Sequence, residues 1–298
     1  MGSMKPDRVL EQPARVLTQD QREHYFEHGY VLCRGALAPS WLARARDAYE
    51  RAITRSRHVE KSNRWFSLAP EHCSEQPCVF RIERLPDQDP EFWAVALESA
   101  LADLAADVLG PDVVYRDSMI NVKPPGERGT VSWHQDFPFY PHTNVGTIQV
   151  LTALYDVPPE QGPLTVVPGS HHGELFDHYD DDDEWVGEIK RSDLSRVSVT
   201  QAVELSCNAG DAVLLHPVTV HGSQSNVSDR ARPVLIHGMS AADALPYTAI
   251  AWGNSHTGET LRGQGRRFAQ HDELDVRLPP DWSDGYTSIF EHQQEVGE

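Results

Sequence analysis

Two histidines, one aspartate and one arginine are the side chains whose types and spacing could support chemistry. His134 and Asp136 are separated only by Gln135, and His221 lies far downstream, eleven positions before Arg232. Two imidazoles and one carboxylate leave half of an octahedral iron site open. A guanidinium group binds a carboxylate through two parallel hydrogen bonds. This set therefore predicts an iron centre beside a site for a dicarboxylic co-substrate.

A second pair with the same spacing competes for the role of metal site. His178 and Asp180 are also one residue apart, and a chain with 15 histidines should contain about one such pair by chance. This pair lies at the start of the acidic run 180–184, where no alternating apolar pattern supports a strand. His134 and Asp136 lie in a candidate strand, which projects residues two apart from one face. We therefore favour the first pair and predict that the acidic run is a mobile surface loop.

The composition restricts the class of protein. With 298 residues and 39% hydrophobic side chains, the chain can form one large core, which predicts a single domain over residues 4–298. Residues 1–3 are interpreted as a remnant of an expression tag. The formal net charge of −19 opposes binding to nucleic acid or to an anionic membrane. No long apolar run or signal-peptide pattern is present, so we expect a cytoplasmic protein. Nothing in the sequence predicts an oligomeric state.

The first part of the chain, about residues 4–112, is predicted to be mainly helical. Residues 18–29 combine a capping box with a terminal glycine, which is typical of a helix of about 10 residues. A second helix is predicted to begin at Pro39, and a third is predicted over residues 90–110. The segment 66–77 lacks periodicity and predicts a loop. We expect these helices to support a sheet.

From residue 113 onward the pattern changes to short β-rich segments separated by turn residues. About eight such strands without intervening helices predict an antiparallel barrel of jelly-roll type. The predicted fold class is therefore mainly β, a double-stranded β-helix or cupin-like barrel with flanking N-terminal α-helices. We expect the barrel core over about residues 113–240 and a C-terminal extension over residues 241–298. The candidate strands are residues 113–122, 131–137, 147–157, 164–167, 198–205, 212–215, 218–221 and 233–240.

Further motifs surround the candidate ligands in a fixed order. Residues 121–125 have the sequence Asn-Val-Lys-Pro-Pro, residues 162–171 contain a Pro-Gly-Ser-His turn, and residues 210–217 contain a Gly-Asp turn before an apolar strand. Together with the Gly-Tyr-Val-Leu strand at 29–32 and the segment 221–232, these motifs resemble the phytanoyl-CoA dioxygenase family of iron- and 2-oxoglutarate-dependent oxygenases. The resemblance covers most of the chain.

The resemblance implies the cofactors and the residues that bind them. Fe(II) is the implied metal, 2-oxoglutarate the co-substrate and O2 the oxidant, with succinate and CO2 as products. Asp136 stands where related halogenases have a small residue, so hydroxylation is expected rather than chlorination. The implied metal ligands are His134, Asp136 and His221. The residues implied to bind the co-substrate or to line its pocket are Arg232, Ser223, Asn121 and Thr152.

The resemblance does not identify the substrate, because members of this family act on many different molecules. We expect hydroxylation of a small-molecule metabolite such as a natural-product intermediate. The acidic run 180–184 is a candidate lid that would draw in a cationic metabolite. A fatty acyl-CoA hydroxylase and a cupin-like binding protein without turnover remain alternatives. The aromatic side chains Phe137, Phe139 and Tyr140 are expected mainly to pack the barrel.

Overall fold

The structure is a computed structural model that describes residues 6–126 and 129–282. The predicted tag remnant at residues 1–3 and the last part of the predicted C-terminal extension, residues 283–298, lie outside the described residues. Within the described ranges, no helix is long and apolar enough to cross a membrane. The last α-helix of this part ends at Leu109, and strands and short 3-10 turns follow it.

The N-terminal part is helical, as the sequence predicts. The capping box at Thr18 is present: the Thr18 side chain accepts a hydrogen bond from the Gln21 backbone N–H, and the Gln21 side chain accepts one from the Thr18 N–H. Gly29 ends this helix with a φ of 80°, a conformation that favours glycine. The helices of the described residues are α1 (Pro6–Leu10), α2 (Gln19–His28), α3 (Pro39–Ser56), α4 (Leu85–Gln88), α5 (Pro90–Glu98) and α6 (Leu101–Leu109).

The strands form two antiparallel sheets. They are β1 (Tyr30–Cys33), β2 (Phe66–Leu68), β3 (Val79–Glu83), β4 (Val113–Lys123), β5 (Val131–His134), β6 (Thr147–Ala153), β7 (Leu164–Val166), β8 (Val203–Leu205), β9 (Ala212–Leu215), β10 (His221–Ser223), β11 (Arg232–Ala241) and β12 (Thr260–Arg262). The larger sheet has the order β1-β9-β6-β11-β4-β3-β2, with β12 paired to β4. The smaller sheet has the order β5-β10-β7-β8.

The two faces of the larger sheet have different neighbours. On β6, Ile148 and Val150 belong to the hydrophobic cluster that includes residues of α3, α5 and α6. Gln149 and Leu151, which alternate with them, line a cavity between the two sheets. This separation follows from the pleat of a strand, in which successive side chains point to opposite faces. The helices therefore support one face of the sheet and leave the other face to the cavity.

Two predictions about the N-terminal part are wrong. The single helix predicted over residues 90–110 is two helices, because Ser99 has an extended backbone with a ψ of 176° and its hydroxyl donates to the Val95 carbonyl oxygen. The segment 66–77 is not entirely loop, since β2 lies within it and pairs with β3. β3 is a further strand that the sequence analysis does not predict: it has only five residues, and all of them, including Arg81 and Glu83, are buried.

The strand predicted to carry two metal ligands is shorter than expected. The prediction for residues 131–137 is corrected to β5, which ends at His134. Asp136 has helical backbone angles, φ −73° and ψ −32°, and precedes a 3-10 turn over Phe137–Phe139. Pro138 within that turn cannot donate a hydrogen bond to a neighbouring strand. The aspartate is therefore presented by a turn directly after the strand.

Candidate active site

His134 and His221 lie opposite each other on neighbouring strands. They are register partners in the antiparallel pair β5–β10, and their ring centroids are 4.0 Å apart. Gly222 is required for this close approach, because a Cβ atom at that position would lie 2.8 Å from the Val131 carbonyl oxygen. The smaller sheet thus brings together two histidines that are far apart in the sequence.

The backbone determines which nitrogen of each imidazole is available to a metal. Nδ1 of His134 is 2.9 Å from the Ser132 carbonyl oxygen, and Nδ1 of His221 is 2.9 Å from the Thr219 carbonyl oxygen. Because a carbonyl oxygen only accepts, each Nδ1 donates its proton and each Nε2 keeps a lone pair. Both Nε2 atoms are 3.8 Å from Asp136 Oδ1, and the three ligand atoms lie within 4.8 Å of one another. This donor set fits Fe(II) with open coordination positions.

Burial acts on the protonation of two candidate ligands: it favours the neutral imidazole of His134, which a metal needs, and it opposes ionisation of the Asp136 carboxyl. Burial lowers the pKa of His134 well below its usual value, and the neighbouring His221 adds to this effect, so His134 is neutral. Burial raises the pKa of Asp136, while His221 and a hydrogen bond from Tyr140 oppose that rise. The Tyr140 hydroxyl also accepts a hydrogen bond from Gln149 Nε2 at 3.2 Å. Tyr140 and Gln149 therefore orient the carboxylate, as supporting residues do at many metal sites.

In the second His-x-Asp pair, His178 supports the backbone directly after β5. His178 is buried, its Nδ1 donates to the Phe176 carbonyl oxygen at 3.0 Å, and its Nε2 accepts a hydrogen bond from the Gln135 N–H at 3.0 Å. Residues 181–184, which follow Asp180, are exposed. Within the described ranges, the first pair and His221 form the only group of histidine, cysteine or acidic residues that could hold a metal ion. His178 therefore holds the backbone at Gln135, which lies between the candidate ligands His134 and Asp136.

Arg232 is buried at the start of β11 and lines the same cavity as the three candidate ligands. Its Nη2 donates to the Gly162 carbonyl oxygen at 2.9 Å, but its Nε is buried and has no hydrogen-bond partner in the part of the chain that the structure describes. Burial lowers the pKa of Arg232 to about 10. A buried guanidinium cation is unfavourable unless it is paired, and a bound anion would stabilise it. Ser223 also lines the cavity, so a carboxylate with a guanidinium and a hydroxyl as partners fits here.

The other two predicted co-substrate residues have different positions. Asn121 lines the cavity, and its Oδ1 accepts a hydrogen bond from Arg81 Nε at 2.9 Å. Thr152 is buried but is absent from the cavity wall, because alternation along β6 turns it toward the helical layer. The structure thus corrects the placement of Thr152. The side chains of β6 that do reach the cavity are Gln149 and Leu151.

The cavity wall also contains two basic residues that are not among the predicted site residues, Arg81 and Lys123. Arg81 lies on β3, which is not among the predicted strands. Lys123 is the register partner of Arg232 in the β4–β11 pair, and its ammonium group donates to the Gln224 carbonyl oxygen. Both side chains are buried, and each directly follows an apolar residue of its strand, Phe80 or Val122. A charged residue next to an apolar residue in a strand is the signal that could have identified them.

Lys123 leads to a prediction about stability. Burial, together with Arg232, lowers its pKa from 10.5 to about 6. Between these two values the unfolded chain binds more protons than the folded one, so this lysine makes the free energy of unfolding rise with pH by up to about 1.4 kcal/mol per unit. We expect Lys123→Met to flatten the rise between about pH 6.5 and pH 9 and to stabilise the protein at neutral pH. Urea denaturation at both pH values measures this.

The matched control for this prediction is Lys61→Met, because Lys61 is exposed. This variant should keep the wild-type dependence of stability on pH. Equal slopes in wild type and Lys123→Met would contradict the buried environment of Lys123.

Comparisons with known proteins agree with this geometry. The profile of the family described as Phytanoyl-CoA dioxygenase (PhyH) matches residues 25–234. The probable alpha-ketoglutarate-dependent hypophosphite dioxygenase of Stutzerimonas stutzeri is 28% identical, over 92% of this chain and 96% of the relative. The L-proline trans-4-hydroxylase of Streptomyces griseoviridis is 31% identical, over 55% of this chain and 63% of the relative.

The fold also matches solved structures. The apo crystal structure of EctD from S. alaskensis superposes with a TM-score of 0.67 at 18% sequence identity, covering 94% of this chain and 93% of that one. This likeness confirms the predicted double-stranded β-helix. The family profile spans most of the chain, including all three candidate metal ligands and Arg232. The chain therefore belongs to the phytanoyl-CoA dioxygenase family of Fe(II)- and 2-oxoglutarate-dependent oxygenases.

Proposed function

We propose that this enzyme hydroxylates a small-molecule metabolite at an iron centre held by His134, Asp136 and His221, with 2-oxoglutarate held by Arg232 and Ser223. The observation that carries the proposal is the content of one cavity: three ligand atoms within 4.8 Å of one another, and a buried guanidinium whose Nε has no partner in the described chain. The first feature fits a metal and the second fits a carboxylate. Together they fit the two components of this family's chemistry.

Each group of the chain has a distinct task in this reaction. The two Nε2 atoms and the Asp136 carboxylate would hold the metal, and a set of three protein ligands would leave room for the co-substrate and O2. The Arg232 guanidinium and the Ser223 hydroxyl bind the distal carboxylate and so orient the keto acid toward the metal. When bound, Fe(II), 2-oxoglutarate and O2 supply the oxidising chemistry, and succinate and CO2 are the co-products.

The remaining wall of the cavity suits a small substrate. Leu151, Leu164 and Leu215 contribute apolar surface, which excludes water from the reacting atoms. Phe139 and Tyr140 also line the cavity, so their role extends beyond packing. Asp136 would give the metal a carboxylate where the resemblance implies a small residue in halogenases, and this supports hydroxylation over halogenation. The relatives named for hypophosphite and for L-proline are consistent with a substrate of few atoms.

Anaerobic titration with Fe(II) and 2-oxoglutarate tests the proposal. A visible metal-to-ligand band should appear with the wild-type protein, because the bound keto acid chelates the metal. A screen of small metabolites, scored by succinate release under O2, should then identify compounds that accelerate turnover. Absence of the band in the wild-type protein would falsify the assignment. A band without succinate release from any compound would instead favour a cupin-like binding protein.

A further inference from the structure

Two basic side chains lie next to each other at the co-substrate end of the cavity. Lys123 and Arg232 are register partners on the neighbouring strands β4 and β11, and both line the cavity. Lys123 is 1% exposed and Arg232 is 7% exposed. Lys123 donates a hydrogen bond to the Gln224 carbonyl oxygen and Arg232 to the Gly162 carbonyl oxygen, and no carboxylate of the described chain forms an ion pair with either. Two buried bases therefore share a site that has no acid.

Such a site favours one positive charge over two. Like charges repel, and the repulsion is stronger in buried surroundings than in water. Arg232 keeps its charge, because a guanidinium group is a stronger base than an amine. Burial, together with Arg232, lowers the pKa of Lys123 to about 6. At neutral pH the Lys123 side chain of the free protein is therefore mainly an uncharged amine.

The other titratable groups near this end of the cavity do not supply an anion for Lys123. On β3, Arg81 is a further base, and Glu83, 3.9 Å from Arg81, lies outside the cavity wall. Burial raises the pKa of the Cys207 thiol to about 11, so the thiol is neutral. A bound carboxylate would therefore be the first negative charge beside the pair of bases. The remaining titratable residues of the described wall are Tyr140 and the candidate metal ligands His134, Asp136 and His221.

The co-substrate would bring this negative charge to Lys123. The distal carboxylate of 2-oxoglutarate is assigned to Arg232 and Ser223, and Lys123 donates to the carbonyl oxygen of Gln224, the residue after Ser223. A nearby anion favours the protonated form of an amine. We propose that Lys123 is uncharged in the free protein and takes up a proton from the solvent at Nζ when 2-oxoglutarate binds. This inference rests on the proposed function, since it concerns the co-substrate of the same cavity.

Proton uptake makes the affinity for 2-oxoglutarate depend on pH. Well below pH 6, Lys123 is protonated both with and without the co-substrate. Above that value only the complex keeps the proton, so a rise in pH opposes binding. The dissociation constant then increases by up to about tenfold per pH unit, the limit for one proton. An exposed lysine would give no such effect, because it is charged in both states at these pH values.

Isothermal titration calorimetry of the anaerobic Fe(II) protein with 2-oxoglutarate measures the proton uptake. The heat of binding in buffers of different ionisation enthalpy gives the number of protons that each ligand brings with it. We expect more than about half a proton per 2-oxoglutarate at about pH 7, and a dissociation constant that rises at least about fivefold between about pH 6.5 and about pH 8. Binding with a smaller uptake, or with an affinity that is constant over this range, would overturn the proposal.

Two variants assign the proton to Lys123. Neither Lys123→Met nor Lys123→Gln can titrate at this position, so both should bind 2-oxoglutarate without proton uptake and with an affinity that is independent of pH. At about pH 6.5 both should bind at least about tenfold more weakly than the wild type, because a charged hydrogen bond is lost. This difference should shrink as the pH rises toward about 9, where the amine of the wild-type complex also loses its proton.

The matched control is Lys61→Met, at an exposed position, which should keep the proton uptake and the pH dependence of the wild type. Uptake that persists in both Lys123 variants would assign the proton to another group and reject this role. Wild-type protein that does not bind 2-oxoglutarate at any of these pH values would contradict the proposed function itself, whereas binding without uptake contradicts only the role of Lys123.

Discussion

Replacement of Asp136 by alanine is expected to lower the affinity for Fe(II) and the rate of succinate formation by at least about 100-fold, because even residues that only support a metal ligand contribute 10- to 100-fold. Asp136 is the single carboxylate of the donor set, and its Oδ1 is 3.8 Å from the Nε2 atoms of both His134 and His221. Without it, two neutral imidazoles would hold a divalent cation alone. Metal titration and succinate assays measure the two effects.

The matched control is Asp180→Ala, in the second His-x-Asp pair. His178 of that pair bonds to the backbone N–H of Gln135, and Asp180 begins the exposed acidic run. This variant should bind Fe(II) and 2-oxoglutarate as the wild type does. The assignment of the metal centre fails if Asp136→Ala keeps its iron affinity within threefold, or if Asp180→Ala loses it.

The choice between these two His-x-Asp pairs could be made from the sequence, because a rigid strand and a solvated loop have different residue patterns. Alternating apolar residues around His134 indicate a supported strand, whereas consecutive acids after His178 indicate a solvated segment. The sequence could not indicate that His178 is buried and supports the backbone at Gln135. That contact joins residues 43 positions apart, and local patterns contain no information about it.

Whether a strand residue reaches the co-substrate pocket depends on the alternation of side chains along the strand. A prediction that is wrong by one position places the side chain on the opposite face of the sheet. The resemblance implies that Thr152 lines the pocket, but Gln149 and Leu151 are the residues of β6 that reach it. Arg81, which also lines the cavity, is not among the predicted site residues for a different reason. Its strand, β3, is buried at all five positions and is paired on both sides, with β2 and with β4. The alternation of Phe80, Arg81, Ile82 and Glu83 is typical of a strand, but it does not indicate that the two charged side chains are buried.

Replacement of Arg232 by lysine is expected to weaken binding of 2-oxoglutarate by about 10- to 100-fold, the range that follows from a lost charged hydrogen bond of about 1.5–3 kcal/mol. The Arg232 guanidinium donates from Nη2 to the Gly162 carbonyl oxygen and presents a buried Nε that has no partner in the described chain. A lysine ammonium is a point charge that cannot bind the backbone carbonyl and a carboxylate with the same geometry. Equilibrium titration of the Fe(II) protein with 2-oxoglutarate measures the change.

A control variant and a stability measurement separate a binding role for Arg232 from a structural one. Arg230→Lys, two residues earlier, changes a side chain that is 80% exposed and should leave the affinity for 2-oxoglutarate unaltered. In the absence of co-substrate, Arg232→Met should not lower the free energy of unfolding, because it removes a buried cation that has no carboxylate partner among the described residues. If Arg232→Met destabilises the protein strongly while Arg232→Lys binds 2-oxoglutarate normally, the guanidinium serves the fold through Gly162, and the co-substrate must be bound elsewhere in the cavity.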